Sequence, residues 1–452
     1  MAKTNTSTGG RAATTGIIPG KWALSVGKPS IPAPPGFNWT PLSEIARLES
    51  GHTPSRRNPE YWDGNVPWIG IRDATGNHGR TITSTLQTIT QAGLDNSSAR
   101  LLPAGTVCLS RTASVGYVVT MGAPMATSQD FINWVCGPKL SPRYLHYILV
   151  MEQDSVRRFA HGTTHQTVYY PEAKAFHVCI PNREEQNRIA SMLGALDDKI
   201  AVNERITATA DELARTHFRA GFSLALDYVT DGTSLPPEWA VSTIGDSATT
   251  VETGIRPKGG VAQYTSGTPS IGAESIIGLG KFDFTKTKFV PENFFADMRR
   301  GIIQDLDILV YKDGGKPGDF KPHVTLFGKG FPFSKMCINE HVYRVRMASS
   351  VGQEFGYYWL SSVPVMAEMR RRGTGAAIPG MNSSAFKSIP LVVPPSDKLA
   401  SFTDAAAPLV DRALMAAVES RTLATLRDTL LPQLMSGRLR VKDAEKIVED
   451  NT

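Results

Sequence analysis

The residues best suited to chemistry are few and scattered. His161 and His165 stand four apart with His177 beyond. Imidazoles at that spacing can share a metal, but these lie in a Gly-containing loop with no carboxylate or thiol at ligand spacing, so no metal site is expected. Cys108, Cys136, Cys179 and Cys337 stand singly, without a CxxC pair. That usage fits a reducing compartment and buried small hydrophobes. Gly314-Gly-Lys316-Pro-Gly has the glycines and the lysine of a phosphate loop, but Pro317 takes the Ser/Thr position and the spacing is wrong. There is no Asn/Asp-Pro-Pro-aromatic segment of the amino-methyltransferase kind, no GxGxxG after a strand, and no Gly-flanked nucleophile. The expectation is a binding protein that is not itself an enzyme and carries neither metal nor cofactor.

Cations in Gly- and Pro-rich loops remain. Phosphate contacts need Arg or Lys, and base edges are read best by Arg, Lys, Asn and Gln. In the first half of the chain the candidates are Arg56, Arg57, Arg72, Arg111 and the loop 162–166, with Thr163, His165 and Gln166. In the second they are Arg256, Lys258, Lys312, Lys316, Lys321 and the run Arg370, Arg371 and Arg372. The basic loop from Lys312 to Lys321 is the strongest, because a Gly/Pro-rich loop after a strand can enter a groove. The arginine run ends a helix, where its charge also suits the C-terminal dipole. Trp68 and Trp239 read as core or domain-edge aromatics. Net charge is +6. Residues 251–390 hold 18 basic against 12 acidic groups, and 40–180 hold 12 against 10, so the positive excess lies in two large segments. A polyanionic partner is therefore open to the chain.

The elements that position these residues come in two copies. Leu42-Ser-Glu44 matches Ile244-Gly-Asp246, Gly51-x-x-Pro54 matches Gly254-x-x-Pro257, and Pro67-Trp-Ile-Gly70 matches Pro269-Ser-Ile-Gly272, at offsets of 202 or 203. Tyr144, Tyr147 and Leu149 fall on Phe355, Tyr358 and Leu360 at 211, and Ile180-Pro181 on Val393-Pro394 at 213. A slowly drifting offset is the mark of duplication with loop insertions, and a period near 210 means two domains and not a solenoid.

Within each copy, short apolar runs such as 106–110 and 308–311, punctuated by Gly, Pro, Asn and Asp, read as strands and turns. Ser141-Pro142 opens a helix whose face carries Leu145, Ile148, Leu149, Val156 and Phe159. After each mixed segment comes a long helix. Ile189, Leu193, Leu196, Ile200, Asn203, Ile206, Ala210, Leu213 and His217 alternate spacings of three and four, a coiled-coil seam. The second copy repeats it with Leu409, Ala413, Ala416, Leu423, Leu426 and Leu430. Neither helix has the apolar surface to stand alone, so the two are expected to pair as a spacer between the globular units. The stretch 189–217 spans ~43 Å at ~1.5 Å per residue. DNA repeats every ~34–36 Å, so two unlike heads on such a spacer suit a two-part duplex target.

The fold class expected is α+β: two tandem homologous domains separated by two long antiparallel coiled-coil helices. The division is a polar, Pro-rich extension at 1–38, a first domain at 39–182, a helix at 183–222, a linker at 223–235, a second domain at 236–395, a helix at 396–437 and a tail at 438–452. Trp22-Ala-Leu-Ser25 resembles Trp239-Ala-Val-Ser242, so the first domain begins at Trp22 or at Trp39. The first sixteen residues lack an apolar signal segment, and no apolar run approaches the ~18–20 residues of a membrane span, so an intracellular, cytoplasmic protein is expected.

These phrases resemble one family. Ile180-Pro-Asn-Arg-Glu-Glu-Gln186, followed by Ile189, Leu193 and Leu196-Asp-Asp-Lys-Ile200, is similar to the start of the conserved helix in Type I restriction–modification specificity subunits. So are Val66-Pro-Trp-Ile69, Leu102-Pro-x-Gly105-Thr-Val107 with Ser110-Arg-Thr112 and Gly116, and the terminal Leu430-Leu-Pro-Gln-Leu-Met-Ser-Gly437. The second copy departs at Pro394-Pro-Ser-Asp-Lys-Leu399, which lacks the Glu-Gln pair. The resemblance covers nearly all of 39–440. It implies two target-recognition domains, each reading half of an asymmetric bipartite site in double-stranded DNA, with the helices packed antiparallel as a ruler. It implies two modification (DNA adenine methyltransferase) subunits docked on the helical regions, and restriction/translocase subunits beyond them. S-adenosylmethionine, ATP and Mg2+ then belong to those partners, and the specificity subunit catalyses nothing. The alternatives are a decoy or scaffold of the same fold, or a fused S-adenosylmethionine-dependent methyltransferase or nuclease.

Overall fold

In the computed structural model the chain is described over residues 16–161, 166–316, 319–373 and 379–451. It divides into two compact units. One holds residues up to 198 together with 424–452, and the other holds 199–423. The boundary passes through both long helices, so each unit contains its own section of the pair.

In the first unit a five-stranded sheet runs in the order Ala46–Ser50, Phe131–Cys136, Val107–Ser110, Val118–Met121, Arg80–Ile82. Its central strands are buried on both faces: all four residues of Val107–Ser110 and of Val118–Met121 are inside, hence their mostly apolar make-up. A three-stranded sheet sets Trp62–Ile69 parallel to Ala126–Thr127 and antiparallel to Gln87–Ile89. A third sheet pairs Phe176–Ile180 with Asn38–Pro41 on one side and Leu24–Val26 on the other. The segment ahead of Trp39 thus supplies strands of the first unit. It is held by the buried Glu152, whose carboxylate accepts the backbone N–H groups of Lys21, Trp22, Ala23 and Leu24 at 2.6–3.2 Å.

The second unit repeats the plan. Ala248–Thr253, Val342–Met347, Asp307–Tyr311 and Val324–Phe327 follow the order of the first four strands of the large sheet. Thr268–Ile271 lies parallel to Cys337–Ile338 and antiparallel to Lys288–Val290, and Ala240–Thr243 pairs with Pro390–Val393. The strand equivalent to Ala240–Thr243 is therefore Asn38–Pro41, which carries Trp39. Trp68 and Trp239 are buried, the first beside its sheet and the second against Phe222.

Ser141 occupies the position before the helix Pro142–Met151, but its hydroxyl makes no capping bond. Instead its N–H donates to Gln186 Oε1 at 2.9 Å, and Gln186 Nε2 donates to the carbonyls of Lys139 and Pro181. That explains a buried glutamine at the start of the first long helix. Its counterpart at offset 213 is Leu399, also buried and apolar.

The long helices are Arg183–Asp231, with a non-helical residue at Phe222, and Ser396–Met435. They run antiparallel. In the first unit Ile189 and Leu193 share a core with Leu430 and Leu434, and Arg427 Nη1 meets Asp197 Oδ1 at 2.7 Å. In the second, Asn203 Nδ2 donates to Glu419 Oε2 at 2.8 Å and Thr207 Oγ1 to the carbonyl of Ala413 at 3.2 Å. The first helix also packs on a globular core, with Phe218 and Phe222 against Phe355, and both rings meet Phe402 of the second helix.

The expected seam needs correction. Ile189, Leu193 and Leu196 are buried as expected, but beyond Asn203 the buried residues are Thr207, Ala210, Ala214, Phe218, Phe222 and Ala225. Ile200 is half-buried, Ile206 is off the seam, and Leu213 is 45% exposed. The physical reason is the period. A strict 3.5-residue repeat requires supercoiling, whereas the buried face of this helix follows the ~3.6 of a straight one and falls one residue behind by position 207. On the partner helix Leu423 and Leu430 are buried, while Leu409 and Leu426 are only half so. Val410 takes the inner position beside Leu409.

Candidate nucleic-acid interface

In the first unit the loop between Ser50 and Trp62 carries Arg56 and Arg57, both exposed. Gly51 admits no side chain, since a Cβ there would lie 2.0 Å from the carbonyl oxygen of Ser128. The loop thus lies directly on the strand end at 127–129, where Thr53 Oγ1 donates to Gln129 Oε1 at 2.5 Å. Arg56 folds back over Trp62 and hydrogen-bonds Gln87, 2.9 Å away. Arg72 is exposed on the first turn of Ile71–Gly76, a turn fixed by Asp73, which accepts the N–H groups of Gly70 and Leu86.

Arg111 is a tie within the fold. Its guanidinium donates to the carbonyls of Gln129 and Val168 and lies 4.9 Å from the Tyr170 ring centre. Its backbone N–H donates to Asp130 and its carbonyl accepts from Val168. Gln166, at the edge of the adjoining loop, is exposed. Thr163 and His165 lie outside the described residues, as does His165 of the His161/His165/His177 set.

The second unit repeats this backbone knot with Lys312. Its N–H donates to the carbonyl of His341 at 3.0 Å, and its carbonyl accepts from Met381 at 2.9 Å. The offsets from Arg111, Asp130 and Val168 are 201, 211 and 213, within two residues of those of the duplication. Lys312 Nζ meets Asp313 Oδ2 at 2.8 Å, Arg256 meets Glu340 at 2.7 Å, and Lys321 meets Asp319 at 3.1 Å. His341 Nδ1 lies 2.5 Å from Asp313 Oδ1. Burial raises the Asp313 carboxyl, but the Lys312 and His341 hydrogen bonds outweigh it and hold the group below the usual range. An open cleft of about 690 Å³ beside this knot is lined by Lys312, Asp313, His341, Tyr343, Arg300 and Asn382, among others.

Lys258 is exposed. Lys316 lies in the hairpin Gly315–Lys316 with Asp319–Phe320, and its side chain is outside the described residues. Arg370 is exposed. Burial, Arg370 and Lys321 together lower the pKa of His323. Arg371 and Arg372 both pair with Glu368, and Arg372 also donates to the Ala385 carbonyl and to Ser388. These two therefore stabilise the helix end. Trp62, Gln87, Tyr170, Arg300 and His341 were missed in the sequence, because only strand pairing brings them to the candidate loops.

Residues 35–211 match the family described as the Type I restriction modification DNA specificity domain. The chain is 22% identical over 424 residues to the specificity subunit of the Type I restriction enzyme MjaIX of Methanocaldococcus jannaschii, covering 89% of this chain and 93% of that one. The match of family model and near-full-length relative makes this chain similar to the Type I restriction–modification specificity subunits. A stretch of 190 residues is 25% identical to the specificity subunit of the Type I restriction enzyme HindI of Haemophilus influenzae, 40% of each chain. The crystal structure of the S subunit of a Type-I restriction-modification system from M. genitalium superposes with a TM-score of 0.53 at 14% identity, over 88% of this chain and 96% of that one. At that identity the likeness speaks for the fold.

Specificity subunits are non-catalytic and recognise DNA within a larger complex. Burial pushes the thiols of Cys136, Cys179 and Cys337 up to about 12, 11 and 11, and that of Cys108 higher still, which leaves them protonated at neutral pH. Among the described residues no cluster of three His, Cys, Asp or Glu could hold a metal ion, and no helix is long and apolar enough to cross a membrane.

Proposed function

We propose that this specificity subunit reads an asymmetric, bipartite site in double-stranded DNA, one short element by each globular unit. The supporting observation is that one topology recurs with one backbone knot, at Arg111 and at Lys312, while the side chains around the two knots differ in kind. Equal scaffolds with unlike surfaces suit two different sequences. Arg56, Arg57, Arg72, Gln166, Arg256, Lys258, Lys312, Lys316, Lys321 and Arg370 are the proposed contacts, together with Thr163 and His165, which lie outside the described residues. Arg111 ties the chain at Gln129 to that at Val168, and Arg371 steadies the end of its own helix. The antiparallel helices set the gap between the elements and dock the modification subunits, two per chain. Restriction/translocase subunits complete the assembly in the cytoplasm, and S-adenosylmethionine, ATP and Mg2+ act in the partners.

The test is a titration of labelled duplexes with the complex of this chain and its modification subunits at several salt concentrations. Affinity is expected to fall steeply with salt, and one bipartite site is expected to bind at least a thousandfold more tightly than random duplex. Charge reversal at Lys312 and Lys316 to Glu is expected to cut affinity by at least tenfold while the complex still assembles. Equal binding to all duplexes overturns the reading.

A further inference from the structure

We infer that Arg56 reads a guanine in the element bound by the first unit, and that Trp62, Trp68 and Gln87 are positioning residues that hold its guanidinium for the purpose. The inference rests on the proposed function and deepens it, giving one cation a base where a phosphate contact would be the simpler assignment.

The geometry is that of a prepared fork. The Arg56 guanidinium carbon lies 3.6 Å from the centre of the Trp62 ring and 5.5 Å from that of Trp68. Its Nη2 donates to Gln87 Oε1 at 2.9 Å. The rings are themselves fixed edge to face with centres 5.2 Å apart. Trp62 Nε1 donates to the Ser55 carbonyl at 3.2 Å and Trp68 Nε1 to the His52 carbonyl at 3.0 Å. Both indoles therefore anchor the same short loop whose arginine lies across their faces. An exposed arginine normally loses considerable rotamer freedom when it binds; this one has lost it already.

Two further facts separate Arg56 from Arg256, Lys312 and Lys321. Among the described residues its hydrogen-bonding partner is a neutral amide, whereas Arg256, Lys312 and Lys321 each meet a carboxylate. Its charge is therefore undiminished, and of five guanidinium N–H groups one is engaged, leaving a planar set of donors. A fixed plane adds little to a phosphate contact, which needs mainly charge. It adds much at the major-groove edge of guanine, whose O6 and N7 accept two parallel bonds from one guanidinium. The Trp62 face at 3.6 Å and the Gln87 bond oppose turning the fork out of that plane.

The experiment uses the complex of this chain with its modification subunits, and the site found by mapping methylated bases in the host. Binding is measured to the site and to versions with each base pair of the first element replaced in turn, for the unaltered complex and for Arg56→Ala, Arg56→Lys, Trp62→Phe and Gln87→Ala. Arg56→Ala and Arg56→Lys are both expected to lose about ten- to a hundredfold affinity for the site. In both, the penalty for replacing one guanine is expected to vanish while the penalties at other positions stay. Trp62→Phe and Gln87→Ala keep the same preference with a smaller loss. Arg56→Lys retains the charge and the aliphatic stem over the indoles, so a folding defect does not mimic the result. Binding by Arg56→Lys equal to the unaltered complex overturns the inference. So does a uniform loss on all sequences, random duplex included, since that identifies a phosphate contact. An unaltered complex with no bipartite preference overturns the proposed function as well. Retained preference with an unchanged base profile in Arg56→Ala overturns the Arg56 assignment alone.

Discussion

At the middle of their large sheets the two units place opposite chemistry on the same backbone. Phe131–Cys136 carries Asn133, buried and neutral, whose Nδ2 donates to Thr127 Oγ1 at 2.8 Å. At offset 211, Val342–Met347 carries Arg344, clamped by Asp307 at 2.5 Å and Glu252 at 2.6 Å, with Arg346 also on Asp307. The ladder bonds on either side are the same in kind. The comparison teaches that the topology is carried by backbone pairing and by the apolar positions, and that the polar centre is free to diverge where the buried donors find partners, as Asn133 Nδ2 and the Arg344 guanidinium do, although Asn133 Oδ1 has none. The same freedom holds at the surface. The first unit presents Arg56 on indoles, and the second sets Arg256, Lys312 and Lys321 against carboxylates.

The sharpest way to break the comparison is to orphan the charge in one unit. Asp307→Ala leaves Arg344 buried with half its partners, and is expected to cost the second unit roughly 3–5 kcal/mol. Hydrogen exchange resolved by peptide should show the loss in 199–423 and spare the Phe131–Cys136 sheet. Asn133→Ala, lacking a charge to strand, is expected to cost no more than about 1–3 kcal/mol.

Acid sharpens it next. Burial pushes the His146 ring, bonded to Thr120 Oγ1, down to about 4 from the ordinary 6.5. The unfolded chain takes up that proton first. The stability the neutral ring confers is thus whole above pH 6.5 and is lost as pH falls from 6.5 to 4, by roughly 3 kcal/mol. In the second unit burial opposes ionisation of Glu368, but Arg371 and Arg372 outweigh it and lower the carboxyl. Stability from a depressed carboxyl survives until pH falls below about 4. Protection factors, with the intrinsic pH dependence of exchange divided out, are expected to fall further from pH 7 to 4.5 in the first unit than in the second, where the lowered His323 acts in the same direction, and His146→Gln should shrink that difference.

The smallest effects test the seam within the second unit's section of the long helix. Ala214 is fully buried, so Ala214→Leu is expected to destabilise by roughly 1–3 kcal/mol through overpacking. Leu213→Ala, on the exposed side, should shift thermal unfolding by less than about 0.5 kcal/mol. A reversed order would restore the 3.5-residue seam.

Much of the architecture was legible because duplication writes it twice. Drifting matches such as Gly51 with Gly254 and Tyr147 with Tyr358 located both copies, and those glycines prove to be close backbone approaches, Gly254 to Ile338. The helices were legible through their period up to Asn203. Beyond it Leu213 and Ala214 are adjacent candidates, and composition favours the wrong one, since hydrophobicity ranks leucine above alanine whatever the packing distance. The candidate interface was legible only as a set of cations. Arg111 and Arg371 were indistinguishable from Arg56 and Arg370, because whether an arginine is spent on a carbonyl or a glutamate depends on neighbours 18 to 57 residues away for Arg111, though only three away for Arg371.

The sequence by itself determined the two copies, their α+β make-up, the long helices and the family, since repeats, periodicity and ordered phrases are properties of a line of residues. Tertiary structure alone decided which face of the first helix is inside, that residues 18–26 join the sheet through Glu152, and which cations are tied and which are presented. Those facts depend on distances between segments far apart in the chain, where a hydrogen bond of about 3 Å exists or does not, and spacing along the chain carries no record of it.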